Sequence, residues 1–371
     1  MGLATHDTIL LACVGIPIIL IWVLVAVTTA ISRVHKDSLP RPRWFAAGAA
    51  KRWGEQFFIL YSGFWVTWFG AVVVSGVWEH FRRVEYMVVC TAMAAPCVLL
   101  PLWLQPAAEA GVPFWSRYWV KANIWIAIIS FVGNYFWTHY FYTLLGASYT
   151  FDSWRINDVP IPMFLATHAY FCTYHSLTSI MLRRWWTGHT YARMPQWLRS
   201  PATCALVCLM AWVTALTEAL TIQNFPYYAI RDRTFFYTVG SIVYGIYFIV
   251  SFPMFFRLDE DASDEAVAAS ATTGAVTIND VAVSPEPLRR RRGRSASKAS
   301  ISQRDAVASA RFGRVVVAST VVRRWSVERT AIDSLGACML VTIMLDLFRI
   351  SYLAAKSTPS TGIPWMPIIT T

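Results

Sequence analysis

Apolar residues along this chain gather into long unbroken runs and do not alternate with polar ones. The runs cover about residues 8–31, 57–77, 84–104, 122–146, 162–182, 202–223, 237–256 and 332–353. Each comes close to the ~20 residues that an α-helix needs to cross the ~30 Å hydrocarbon layer of a bilayer. Continuous runs predict helices and argue against a β-barrel, whose strands alternate. The pattern therefore predicts an all-α, polytopic helical membrane protein with about eight transmembrane helices. Pro96 and Pro101 interrupt the run at 84–104, which makes it the least regular of the set. The first run is long for the apolar part of a signal peptide and has no basic stretch before it, so it is expected to be a retained helix.

Composition agrees with this reading. Of the 371 residues, 56% are hydrophobic and 14% charged, against about 25% charged in soluble domains. The net charge of +11 does not point to nucleic acid, because Lys and Arg concentrate in particular loops. Arg33, Lys36, Arg41, Arg43, Lys51 and Arg52 follow the first run, and Arg183, Arg184, Arg193 and Arg199 follow the fifth. The loops on the other side hold only Arg82 and Arg83, Arg155, or Arg231 and Arg233, and the third-to-fourth loop, with Arg117 and Lys121, is neutral. The positive-inside rule then puts both ends of the chain on the lumenal or outer side. All seven cysteines fall within apolar runs, where Cys acts as a small hydrophobe, and nothing pairs them as a disulfide framework or a zinc site.

The pattern breaks once, over 259–324. An acidic opening, Asp259-Glu260-Asp261, gives way to an Ala/Ser/Thr/Val stretch and then to Arg289–Arg292, with few aromatics. This reads as a disordered cytosolic insertion, whose basic cluster suits anionic lipid and whose Ser295 and Ser297 suit phosphorylation. The chain thus divides into an extra N-terminal helix and basic loop (1–50), a membrane bundle (51–258), the insertion (259–324) and a final helix with its tail (325–371) that belongs to the bundle.

Polar residues inside the runs are the candidates for chemistry. Asn134, Thr138, His139 and several tyrosines stand in Gly133–Tyr142, at the end of the fourth run. Hydrocarbon offers such groups no partner, so this helix is expected to face protein or a cavity. The bland reading is helix–helix hydrogen bonding; the sharper one is a lining for an apolar ligand with a polar tip. Glu218 shares a helix face with Thr214 and Thr221, and an acid within a membrane helix is by default a functional candidate. Its competing role is partner to an intramembrane His or Arg. His168 and His175 lie seven apart on one face, but a metal site needs more ligands at closer spacing, so no metal is expected. Glu55, four residues after Lys51, is expected to form an interfacial ion pair with it, and Asp346 has Arg349 three residues on.

Alternating helices place His139, His168, Glu218 and Asp346 in the lumenal half, with Tyr135, Trp137, Tyr142, Trp212 and Tyr244 at similar depth. A carboxyl desolvated there keeps its proton and can act as an acid.

Several stretches together resemble the cycloeucalenol cycloisomerase family. They are Lys51–Phe58, Arg117–Asn123, Gly133–Phe151, Asn224–Tyr228, Tyr244–Arg257 and Asp333–Arg349, so the resemblance covers about 51–260 and 325–350. The first helix lies outside it, 261–324 looks inserted, and Asp152 stands where relatives are expected to have proline. The resemblance implies an isomerase of sterol biosynthesis in the endoplasmic reticulum membrane, which opens the 9β,19-cyclopropane of cycloeucalenol to give obtusifoliol. It implies a cyclopropyl sterol and membrane lipid as partners, no nucleic acid and no cofactor, and it leaves protein partners unknown. Protonation at C19, a cation at C9 and loss of the C8 proton call for an acid, a base and an aromatic cavity. Residue chemistry and depth make Glu218 the expected donor, with His139, His168 and Asp346 as the other candidate acid–base groups. Asn134, Tyr135, Trp137, Tyr140 and Tyr244 are the expected lining. The alternative is a non-catalytic sterol carrier or sensor that uses the same pocket.

Overall fold

A computed structural model of the protein describes residues 42–104, 107–222, 225–260 and 324–355. Its long helices are α1 (Ala49–Val74), α2 (Arg83–Trp103), α3 (Tyr118–Val132), α4 (Ile161–Trp186), α5 (Gln196–Ile222), α6 (Ser241–Phe256) and α7 (Val327–Ala355). Seven of the eight predicted spans thus appear as helices among the described residues, and the first, at 8–31, lies outside them, as do residues 261–323 of the insertion. Five helical stretches are long and apolar enough to cross a membrane: those of α1, α2 and α5, the stretch Arg233–Phe256 and that of α7. The all-α membrane class stands on these; a count of eight does not. α4 is more polar, carrying His168, His175 and a row of Ser and Thr, and it packs against α1, α2, α3 and α6. Apolar helices therefore surround a polar one, which lets its side chains find protein partners instead of lipid. α2 continues through Pro96 and Pro101 as one helix.

Two helices are not regular throughout. α3 continues through a π turn at Gly133–Trp137, one α turn at Thr138–Tyr140 and a second π turn at Phe141–Leu145, and ends where Gly146 adopts the left-handed conformation, φ 62°. α6 is preceded by Arg233–Phe235 and a third π turn, Phe236–Gly240. π turns are rare and gather at functional sites. The stretch Arg233–Phe256 is the most enclosed of the five apolar ones, packed against α4, α5 and α7.

The loops at the end of the bundle where α3 stops and α4 begins contain short strands that the apolar pattern did not predict. β1 (Ala147–Tyr149) pairs antiparallel with β4 (Tyr228–Ile230), with Ser148 opposite Ala229. β2 (Arg155–Ile156) and β3 (Val159–Pro160) form a hairpin whose two turn residues, Asn157 and Asp158, both have positive φ, the preference of a type I′ turn. Trp78, Tyr86, Phe151 and Phe225 pack together at this end.

Charge is buried at the opposite end. Arg183 grips Glu55 with both terminal nitrogens, at 2.8 and 2.7 Å, and Glu260 through Nε and Nη2, at 2.9 and 2.7 Å. Lys51 bonds Glu260 at 2.6 Å and donates to the carbonyls of Phe256 and Leu258. The expected Lys51–Glu55 interfacial pair is therefore corrected: Glu55 is buried and its bonded cation is Arg183. The long-range partners satisfy each group where no water would. Next to this cluster, Lys121 pairs with Asp259, and Asp259 accepts the Trp325 backbone N–H at 2.7 Å. The chain on either side of 261–323 is thereby tied to one point.

Candidate functional site

The π turns wall a cavity. Gly133, Asn134, Thr138 and Phe141 line it from the continuation of α3, and Phe236, Gly240, Ser241, Tyr244 and Tyr247 from α6 and the turn before it. α4 contributes Thr167, Tyr170 and Phe171; α5 contributes Ala215, Glu218, Ala219 and Ile222; Tyr149 and Tyr228 close it from the paired strands. The space is about 670 Å³, counted to its open mouth. Each of the three π turns supplies at least one wall residue. The extra residue in each wider turn re-aims the side chains that follow. Gly240 lets the walls approach, since a Cβ there would meet Leu145 Cδ1 at 3.0 Å, and Gly133 makes room for the Trp137 ring in its own turn, which a Cβ would meet at 3.3 Å.

One carboxyl faces this cavity. Glu218, near the end of α5, is partly accessible and accepts a hydrogen bond from Tyr244 Oη at 2.7 Å. Tyr170 and Tyr174, one turn apart on α4, stand near the same carboxyl. Among the described residues no Lys, Arg or His forms an ion pair with it. The role of partner to an intramembrane cation, weighed from the sequence, goes instead to phenols. The Tyr244 O–H fixes the position of the carboxyl, and no cation among the described residues competes with a proton for it.

The structure brings Glu218, Asn134 and Tyr244 of the expected residues to the cavity wall and holds the others elsewhere. Asn134 donates from Nδ2 to the Ser130 carbonyl at 2.9 Å. His139 bonds the Asn157 carbonyl through Nε2 at 3.0 Å and packs on Tyr142, toward the hairpin turn. His168 bonds Asn123 Oδ1 at 2.9 Å. Asp346, on α7, accepts from Tyr140 Oη at 2.7 Å. Trp137 donates to Thr342 at 2.9 Å and lies 4.6 Å from the Tyr247 ring, so it backs a wall residue. Tyr135 stacks on Phe131. The layer of four ionisable groups is thus spread over separate partnerships. Tyr170, Tyr174, Tyr149 and Ser241 were not anticipated. The i, i+4 spacing of Tyr170 and Tyr174 was the available signal for the first two.

Cys97, His168 and Cys172 have donor atoms within 4.8 Å of one another, as metal ligands would. A structural zinc site takes four ligands. The nearest further donor, Asn123 Oδ1, is engaged by His168 at 2.9 Å and by Cys97 at 3.4 Å. Cys97 also bonds Cys172, Sγ to Sγ at 3.4 Å, so these groups bond one another.

No protein-family model and no solved structure matches the chain. One curated protein does: the Arabidopsis thaliana protein named cycloeucalenol cycloisomerase is 37% identical over 329 residues, which cover 87% of this chain and 96% of that protein. The match takes in nearly the whole relative and every cavity-lining helix lies in the stretches that carried the resemblance or between them. On that identity and coverage, the chain belongs to the cycloeucalenol cycloisomerase family.

Proposed function

We propose that this chain isomerises cycloeucalenol to obtusifoliol. The near full-length match to the Arabidopsis protein of that name carries the reading. The cavity supports its chemistry: Glu218, with no cation paired to it among the described residues, stands among tyrosines and phenylalanines. Glu218 gives its proton to C19. The C9–C19 bonding pair takes that proton, C19 becomes the methyl group on C10, and C9 is left cationic. Aromatic faces stabilise such a cation by about 0.5–2 kcal/mol each when desolvated. Loss of the C8 proton then forms the C8–C9 double bond. C19 and the C8 hydrogen project from the same sterol face, so the Glu218 carboxylate formed in the first step takes the second proton. Acid and base are then one group, and His139, His168 and Asp346 support the frame through Asn157, Asn123 and Tyr140.

The finer topology is part of this reading: eight spans in the endoplasmic reticulum membrane, with the buried ion network at the cytosolic end and the cavity in the lumenal half. The alternating loop charge supports it.

The test is expression in membranes of a host that lacks the activity, with cycloeucalenol supplied and sterols read by mass spectrometry. Obtusifoliol should appear, carrying one deuterium on C19 when the reaction runs in heavy water. Folded protein that binds the sterol without converting it would make the chain a carrier.

A further inference from the structure

Hydrogen bonds within the chain take up the hydroxyls of Tyr244, Thr167, Tyr170 and Thr138 on the cavity wall. Asn134 spends its amide N–H on the Ser130 carbonyl. Ser241 Oγ and Tyr247 Oη are sealed within the packing, out of reach of a ligand. Tyr149 and Tyr228 differ from all of these. Both line the cavity and are partly exposed, and neither Oη is sealed off or bonded to a described residue.

The backbone sets these two phenols side by side. They stand directly opposite each other in the β1–β4 ladder, so their side chains leave the same face of it. Their ring centroids are 4.7 Å apart. Tyr149 also packs on Phe151, and Tyr228 on Phe236. The ladder is fixed on both sides, by the Thr150 N–H to the Tyr227 carbonyl at 2.8 Å and the Arg231 N–H to the Gly146 carbonyl at 3.2 Å. Packing and pairing thus hold both rings without using their hydroxyls. The strands close the cavity at the end of the bundle where α5 stops, and Glu218 stands four residues, about 6 Å of helix rise, short of that end. It lies near enough for its charge to act on both rings.

We propose that Tyr149 and Tyr228 bind the 3-hydroxyl of the sterol. This rests on the sterol reading above. The 3-hydroxyl is the one polar group of an otherwise hydrocarbon substrate. It is donor and acceptor at once, and two adjacent phenols can accept from it and donate to it together. An apolar ring with a polar tip suits such a ligand, since the ring meets the hydrocarbon and the tip meets the hydroxyl. In cycloeucalenol, C3 lies across ring A from C10, which bears C19. A hydroxyl seated on the strand pair therefore leaves C19 one ring further into the cavity, on the side of Glu218. The two tyrosines orient the substrate and take no part in proton transfer.

The experiment compares cycloeucalenol with its 3-deoxy analogue, using the full chain in membranes, for the wild type and the Tyr149→Phe/Tyr228→Phe double variant, which keeps both rings. The wild type should favour cycloeucalenol at least about tenfold in kcat/KM, since a site built around a hydroxyl rejects the analogue that lacks it. The double variant should bring that preference below about twofold. If it folds poorly, each single variant carries the test and should narrow the preference at least about threefold. A wild type that treats the two sterols alike, or folded variants that lose activity equally on both and keep the preference, overturns the subsite and leaves the isomerase reading intact. A wild type that converts neither sterol fails the isomerase reading itself; the subsite is then read from the ratio of the two Kd values, with the same expectations. A chain that binds neither sterol overturns both.

Discussion

Glu218 is set apart from the other buried carboxyls by the company it keeps. Glu55 and Glu260 face Arg183, and Asp259 faces Lys121. Glu218 accepts from Tyr244 and pairs with no cation among the described residues. A guanidinium beside a carboxyl competes with the proton for it, and Glu218 has no such competitor among the described residues. Glu218→Gln preserves shape and hydrogen bonding but removes that proton. Turnover should fall at least about 100-fold, the lower end of general-acid contributions, with sterol binding retained. Tyr244→Phe should cost less, because it removes a bond that positions the carboxyl and leaves the acid itself in place. Obtusifoliol formed per folded protein measures both, and near-normal turnover in Glu218→Gln would take the donor role away from this residue.

Among the helices, close approach is set by single glycines. A Cβ on Gly54 of α1 would run into the Tyr118 ring, meeting Cε1 at 2.6 Å, and Tyr118 is only 1% exposed and has nowhere to go. Gly54→Ala should therefore destabilise the bundle by about 1–3 kcal/mol, the usual cost of overpacking. Gly63, nine residues on in the same helix, has nothing within 4 Å of its Cβ position. Gly63→Ala should be neutral or slightly stabilising, since Ala is the better helix former. Thermal unfolding of the two variants in one detergent decides it, and equal melting temperatures would mean that α1 and α3 can slide apart. The π turns belong to the same scale. Each gives up regular helical hydrogen bonding to re-aim wall residues, and all three border one cavity.

Across the whole molecule, the ion network at one end joins α1, α3, α4, α6 and the start of α7. Glu260 is its hub outside the helices. Burial would push its carboxyl up, but Lys51 and Arg183 outweigh burial and lower it from 4.5 to about 2. Because the folded state prefers the carboxylate, the stabilisation is fully present above about pH 4.5 and is lost as pH falls toward 2. Glu260→Gln should lower the melting temperature at neutral pH, since breaking a buried pair costs about 3–5 kcal/mol. The gap between variant and wild type should narrow as pH drops below about 4.5. A gap that stays constant from pH 6 to pH 3 would show that Glu260 does not carry this linkage.

Read alone, the chain determined its class and its helices, because a helix in hydrocarbon must satisfy its own backbone and so writes its length directly into the run of apolar residues. The spans near 57–77, 84–104 and 202–223 correspond to α1, α2 and α5 for that reason. Glu218 and Tyr244 were legible too, since an acid in such a run is costly enough to stand out. What the runs cannot encode is which polar side chains meet. His139, His168, Glu218 and Asp346 are expected at one depth from the sequence, yet of the four only Glu218 borders the cavity, because rotation about each helix axis and the three π turns decide direction. Lys51 and Glu55 are one turn apart, yet Lys51 bonds Glu260 and Glu55 bonds Arg183. Depth follows from counting residues along one helix. Partnership follows from packing between helices, where a buried charge or hydroxyl goes to whichever distant group can satisfy it.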